Sequence, residues 1–177
     1  EMHAGTLELA DDTLRTTFVL TLPAAAPLPE TAAGQEPPAP QDRSLPLLLL
    51  VEDNRELTAY LKHKLAADYR VIAVHAAEKA VAVLQEQEVD IVVTDIALPG
   101  TNGIELCRTI SSDFDLSHIP VIVTSAISDT ATKIACMEAG ASTYIEKPFG
   151  LDYLEACIRA ILDKRARLKK SYQNTQE

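Results

Sequence analysis

Residues 91–100 read Ile91-Val92-Val93-Thr94-Asp95-Ile96-Ala97-Leu98-Pro99-Gly100. The opening residues are β-branched and apolar without a break, which favours a strand over a helix. A continuous apolar strand fits a sheet covered on both faces. The run stops at Asp95, and Pro99-Gly100 then supplies turn chemistry. A carboxylate at the end of a buried strand is either a solvated turn residue or part of a site. The neighbouring stretches decide which.

Working outward, the same alternation of short apolar runs and helical patterns repeats. Residues 47–51 form a continuous apolar strand, and Leu57, Tyr60, Leu61 and Leu65 follow at helical spacing. Residues 71–74 predict a second strand; Ala77, Ala80, Val81 and Leu84 then share one helical face. After the strand at 91–95, Ile104, Cys107 and Ile110 predict a helix beginning past Gly103. Residues 121–123 form a fourth strand. The helix after it has Asp129 as its N-cap and Gly140 as its stop. Residues 143–145 are a fifth strand, and Leu151, Leu154, Ile158, Ile161 and Leu162 mark a last helix. Five successive βα units imply a doubly wound parallel sheet with helices on both faces.

In such a sheet, ligands bind beyond the carboxyl ends of the strands. The first strand ends in Glu52-Asp53, the third in Asp95, the fourth in Ser125-Ala126, and the fifth, after Glu146, in Lys147-Pro148. If these strands are neighbours, three carboxylates meet one ammonium. Clustered carboxylates repel one another and call for a counter-charge. Mg²⁺ is the natural partner, because it prefers oxygen ligands and commonly shares carboxylates with a phosphate. Lys147 offers a point charge to the same phosphate, and Ser125 a hydroxyl. A carboxylate can itself accept a phosphoryl group covalently. The reading is metal-assisted phosphoryl transfer to an aspartate.

The stretch from about 45 to 167 resembles the receiver domain of bacterial two-component response regulators. The resemblance rests on Val51-Glu52-Asp53-Asn54, on residues 95–100 with Gly103 before Ile104-Glu105-Leu106, and on Ile119-Pro120-Val121-Ile122. It continues through Gly140-Ala141 and Tyr144-Ile145-Glu146-Lys147-Pro148-Phe149. It implies a flavodoxin-like fold with Asp95 as phosphoacceptor. Mg²⁺ would be held by Asp53, Asp95, the backbone carbonyl of Ala97 and, mainly through water, Glu52. Lys147 would contact the phosphoryl group, with a cis Lys147–Pro148 bond. Ser125 would be the switch hydroxyl, because counting back from Lys147 selects it over Thr124. Tyr144 would be the aromatic that responds, a two-state element biased by a local charge. The resemblance further implies a phosphohistidine donor and a cytoplasmic place in a phosphorelay. Its partners would be a kinase domain, an output domain such as a transcription regulator, or a phosphotransfer protein. Self-association would use the face of the last strand and helix.

Before this domain, residues 1–23 alternate as a β-hairpin, with Asp11-Asp12 as turn chemistry. Gly5-Thr6-Leu7-Glu8-Leu9 and residues 16–23 resemble the last hairpin of a histidine-kinase ATP-binding domain, with Arg15 where glycine is usual. That implies a hybrid histidine kinase as parent, with an inner-membrane anchor as an option. The kinase nucleotide motifs are absent here, so ATP binding of that kind is not expected. Residues 24–44, with Pro27, Pro29, Pro37, Pro38 and Pro40, read as a linker. Residues 168–177 read as a tail. Lys164, Arg165, Arg167, Lys169 and Lys170 suit the negative end of a helix dipole, or a connector to a DNA-binding domain.

Composition agrees with a globular domain: of 177 residues, 47% are hydrophobic and 24% charged. A net charge of −10 argues against direct nucleic-acid binding. Cys107, Cys136 and Cys157 lack the pairing of a zinc site or a disulfide framework. His63, His75 and His118 show no ligand spacing and read as surface or structural. The apolar run at 45–51 is too short to span a membrane. Two rivals remain. One is a pseudo-receiver that keeps the fold without phosphorylation, against which Asp53, Asp95 and Lys147 speak together. The other is an aspartyl-nucleophile phosphatase, which usually needs a second aspartate where Ala97 stands.

Overall fold

The computed structural model describes residues 6–12, 15–21 and 44–173. The chain divides into two units between Ala39 and Pro40. In the first, β1 (Thr6–Asp12) and β2 (Arg15–Thr21) pair antiparallel, as the alternation predicts. The first strand continues through Asp11 and Asp12, which face Thr16 and Arg15 in the register, so those aspartates do not turn the chain. The expected linker at 24–44 lies outside the described residues except for Ser44.

The second unit alternates strictly. β3 (Leu47–Val51), α1 (Arg55–Leu65), β4 (Arg70–Val74) and α2 (Ala77–Glu86) come first. β5 (Ile91–Asp95), α3 (Gly103–Ser112), β6 (Val121–Ser125), α4 (Thr130–Glu138), β7 (Thr143–Glu146) and α5 (Leu151–Gln173) follow. The five strands form one parallel sheet in the order β4-β3-β5-β6-β7. Side chains alternate across a strand, and the core splits accordingly. Leu47, Leu49, Val51, Val92 and Val123 pack with Leu84, Leu106, Ile110 and Cys136 from α2, α3 and α4. Leu48, Leu50, Ile91, Val93 and Ile122 pack with Leu61 and Leu65 of α1 and Leu154 and Ile158 of α5 on the other face. Leu48, Leu50 and Ile122 are at most 2% exposed, and each such burial contributes about 1.5–3 kcal/mol.

Helix ends follow their caps. Asn54 accepts from the amides of Glu56 and Leu57, Asn102 from Glu105, and Asp129 from Thr132. Gly140, at φ +97°, ends α4 in a conformation that costs glycine nothing. Helix α5 runs on to Gln173, past the boundary expected near Arg167. Leu168, Lys169 and Lys170, just past that boundary, are strong helix formers, which favours the extension. No helix among the described residues is long and apolar enough to cross a membrane.

Candidate functional site

The chain enters the sheet at β3, turns to β4 on one side, then crosses to β5 on the other. That reversal leaves a crevice beyond the carboxyl ends of β3 and β5. The register sets Val51 against Thr94, so Glu52 stands level with Asp95. On the other flank Asp95 pairs with Thr124, and Ser125 with Glu146, one step further out. The lysine after Glu146 then arrives over the crevice, its amide donating to the Ser125 carbonyl at 2.7 Å.

Glu52, Asp53 and Asp95 each bring a carboxylate oxygen to within 4.8 Å of the others. Glu52 and Asp95 are buried, whereas Asp53 is exposed to solvent. Lys147 Nζ lies 2.7 Å from Glu52 Oε2 and 2.7 Å from Asp95 Oδ2. The second Asp95 oxygen accepts from the Ala97 amide at 3.2 Å. Glu52 is anchored on every side. Its amide donates to the Val74 carbonyl at 3.1 Å, and its carbonyl meets His75 Nδ1 at 2.7 Å and the Thr58 hydroxyl at 3.2 Å.

Burial pushes the Glu52 carboxyl above its ordinary range, and the bond and charge of Lys147 offset only part of that. Burial also pulls on Lys147 in the neutralising direction. The bonds and charges of Asp95 and Glu52 outweigh it, so the ammonium holds its proton above the ordinary lysine range. One ammonium facing three carboxylates leaves negative charge in excess. An all-oxygen donor set with surplus negative charge suits a hard divalent cation.

The geometry brings together Glu52, Asp53, Asp95 and Lys147, four residues read from the strand ends. The Lys147–Pro148 peptide is cis. Ser125 is 2% exposed, and its Oγ accepts from the Ile127 amide at 3.0 Å. The Thr124 hydroxyl is turned inward toward the Thr94 carbonyl, 3.4 Å away. Tyr144 donates its hydroxyl to the carbonyl of Ile127. Its ring lies under Lys133 Nζ, 5.7 Å from the centroid, and Lys133 in turn pairs with Glu146 at 3.2 Å. Gly103 opens α3 against the end of β5, where a methyl group would overlap the Asp95 carbonyl oxygen. His75 has a structural role: its ring braces the Glu52 backbone behind the site. Its position directly after the strand at 70–74 was the signal available for that contact.

The family model for the response regulator receiver domain matches residues 48–159. The chain is 33% identical over 127 residues to Histidine kinase P4 of Formosa agariphila, covering 72% of this chain and 9% of that protein. It is 34% identical over 119 residues to Response regulator ArlR of Staphylococcus aureus, covering 67% of this chain and 53% of the relative. The chain thus spans about half of one relative and a small part of the other. The signal receiver domain of a signal transduction histidine kinase from Syntrophus aciditrophicus superposes with a TM-score of 0.64 at 30% identity, over 67% of this chain and 91% of that one. Fold, strand-end chemistry and these matches agree: the chain belongs to the response regulator receiver domain family of two-component systems.

Proposed function

We propose that Asp95 accepts a phosphoryl group from a phosphohistidine. The observation that carries this reading is the position of Lys147 Nζ, 2.7 Å from both Glu52 and Asp95 at the open end of the sheet. An Asp95 oxygen forms the new P–O bond as the P–N bond of the donor breaks. Lys147 exchanges its carboxylate contact for the incoming phosphoryl oxygens. Glu52, Asp53 and Asp95, whose carboxylates cluster within 4.8 Å, would hold Mg²⁺ together with the Ala97 carbonyl, Glu52 mainly through water. When bound, the cation supplies positive charge that offsets the phosphoryl oxygens.

Ser125 serves as the switch hydroxyl in this reading, which the inward turn of the Thr124 hydroxyl toward the Thr94 carbonyl supports. Drawing Ser125 toward the phosphoryl group takes away the acceptor of the Ile127 amide. The Ile127 carbonyl holds the Tyr144 hydroxyl, so the loop and the aromatic respond together. The phosphodonor is a kinase domain, in the same parent chain if the protein is a hybrid histidine kinase. The match to a small part of a much longer kinase and the hairpin at 6–21 support that parentage. The remodelled face of α4, β7 and α5 then meets an output domain, a phosphotransfer protein or a second copy.

The test is intact mass after incubation with Mg²⁺ and a small acyl phosphate. One phosphoryl on the wild type, absent without Mg²⁺ and absent in Asp95→Asn, is the expected result. Equal labelling of the variant would assign the chemistry to another residue. A wild type that neither this donor nor a partner kinase labels would make the domain a pseudo-receiver.

A further inference from the structure

The backbone carbonyl assigned to the cation belongs to Ala97, in the loop that joins β5 to α3. Backbone bonds hold the two ends of that loop. Ile96 donates to the Thr124 carbonyl at 3.0 Å, Leu98 to Ile96 at 2.9 Å, and Gly103 to Ile96 at 3.0 Å. Leu98 is also buried at 8% exposure. The outer stretch, Pro99 to Thr101, is held differently. Thr101 donates its hydroxyl to Glu78 Oε1 at 2.7 Å, and its amide approaches the same oxygen at 3.4 Å. A Cβ on the adjacent Gly100 would stand 3.3 Å from that oxygen.

Glu78 lies in the first turn of α2, where the capping residue, Ala76, has no side-chain acceptor. A carboxylate is favoured at a helix N-terminus. The Glu78 carboxyl is held below its ordinary range, first by the Thr101 hydroxyl and then by its own amide and that of Thr101. Immediately before this turn, His75 braces Glu52. The β4–α2 junction therefore touches both loops that carry cation ligands, one through His75 and the other through Glu78.

We propose that Glu78 is a positioning residue for the cation: by accepting from Thr101 it holds the outer stretch, Pro99 to Thr101, and so adds to the backbone bonds that restrain the loop whose Ala97 carbonyl the Mg²⁺ reading gives to the cation. The inference rests on the Mg²⁺ reading of the site. It assigns work to a side chain outside the acidic cluster, on a different helix. Glu78 acts by hydrogen-bond geometry through Thr101, so the neutral isostere that accepts the same bonds can replace it.

The experiment uses the full chain with Glu78→Ala, Glu78→Gln, Thr101→Val and the double variant Glu78→Ala/Thr101→Val. Mg²⁺ affinity is read by NMR titration without any phosphodonor. Amide exchange at Thr101 is read in metal-free protein. Labelling by acyl phosphate is followed at low and saturating Mg²⁺. Glu78→Ala should weaken Mg²⁺ binding by roughly twofold to fivefold, less than the tenfold or more that follows loss of a group bonded directly to a metal ligand. Thr101 exchange should quicken, while labelling at saturating Mg²⁺ stays near wild type. Thr101→Val should match it and the double variant should add nothing further, as expected for two ends of one contact. Glu78→Gln should remain near wild type. Unchanged affinity in Glu78→Ala overturns the inference. So does a Gln variant as weak as Ala, which would show a through-space charge effect. A wild type that binds no Mg²⁺ overturns this inference and the metal reading together; a wild type that binds it, with Glu78→Ala unchanged, overturns this inference alone.

Discussion

The backbone amide of Ile127 donates to the Ser125 hydroxyl oxygen at 3.0 Å. The same residue's carbonyl accepts from Tyr144. Ile127 is thus held between a buried hydroxyl at the site and an aromatic on the far side of the loop. In Ser125→Ala the amide loses its acceptor, at a stability cost of about 1 kcal/mol. Phosphorylation of Asp95 should survive, but its message to Tyr144 should not. Ring NMR signals of Tyr144 should move on adding a phosphoryl mimic to wild type and stay in place in the variant. Equal movement in both proteins would remove Ser125 from the pathway.

Lys147 bridges two buried carboxylates at once. Lys147→Met leaves Glu52 and Asp95 facing each other without a counter-charge, which should destabilise metal-free protein by roughly 1–3 kcal/mol. Added Mg²⁺ should restore more stability to the variant than to wild type, because it supplies the missing charge. The pH dependence has a definite sign. The folded-state value of Lys147 is raised, so its contribution is complete below the unfolded value of about 10.5 and is lost as pH rises through the higher folded value. Denaturant melts from pH 8 upward should therefore show wild type converging on the variant only at strongly alkaline pH. Convergence near neutrality would contradict the ion-pair assignment.

Gly103 has no room for a side chain, because a methyl group there overlaps the Asp95 carbonyl oxygen. Gly103→Ala must push α3 away from β5 or shift the backbone of Asp95 itself. We expect a loss of about 1–3 kcal/mol, the usual cost of overpacking, and slowed labelling of Asp95. An alanine variant with wild-type melting and labelling would mean that α3 starts elsewhere in solution.

Burial lifts the Cys107 thiol to about 11, with Cys136 nearby adding to the effect. Burial raises Cys136 as well. The thiolate is the reactive form, so both should resist alkylation in folded protein at pH 8 and react on unfolding. Peptide mapping after a timed iodoacetamide pulse separates the sites. Fast labelling of Cys107 in folded protein would show that the α3–α4 packing opens.

Much of this site was legible because it sits at strand ends. The unbroken apolar runs at 47–51, 91–93 and 121–123 located three central strands; Glu52 follows the first directly, and Asp95 and Ser125 each follow one threonine later. Counting back from Lys147 selects Ser125 over Thr124, and on a strand a one-residue shift changes the face. Neighbouring positions on a strand face opposite ways, so Thr124 and Ser125 have different surroundings. The Glu78–Thr101 contact was not legible, since a glutamate in a first helical turn has an adequate local explanation. Nor was the partner of Asp90, whose carboxylate caps the start of β3 at Leu47 while Arg165 donates to its carbonyl. Contacts of that range, 43 and 75 residues apart, leave no local periodicity to read.

Helix α5 keeps its direction to Gln173, although its fully buried contacts end at Ile158 and its partly buried apolar ones at Leu162. A helix that runs past its buried apolar contacts is an indexing device. Any module grafted in helical continuation inherits a rotational phase, and each residue inserted turns it by about 100° and advances it by about 1.5 Å. Two residues carry the module to nearly the opposite side, and seven bring it back to within about 20°. Chimeras differing by single residues at this end would thus sample a full circle of orientations from one unchanged receiver, making spacer length the dial for building synthetic switches.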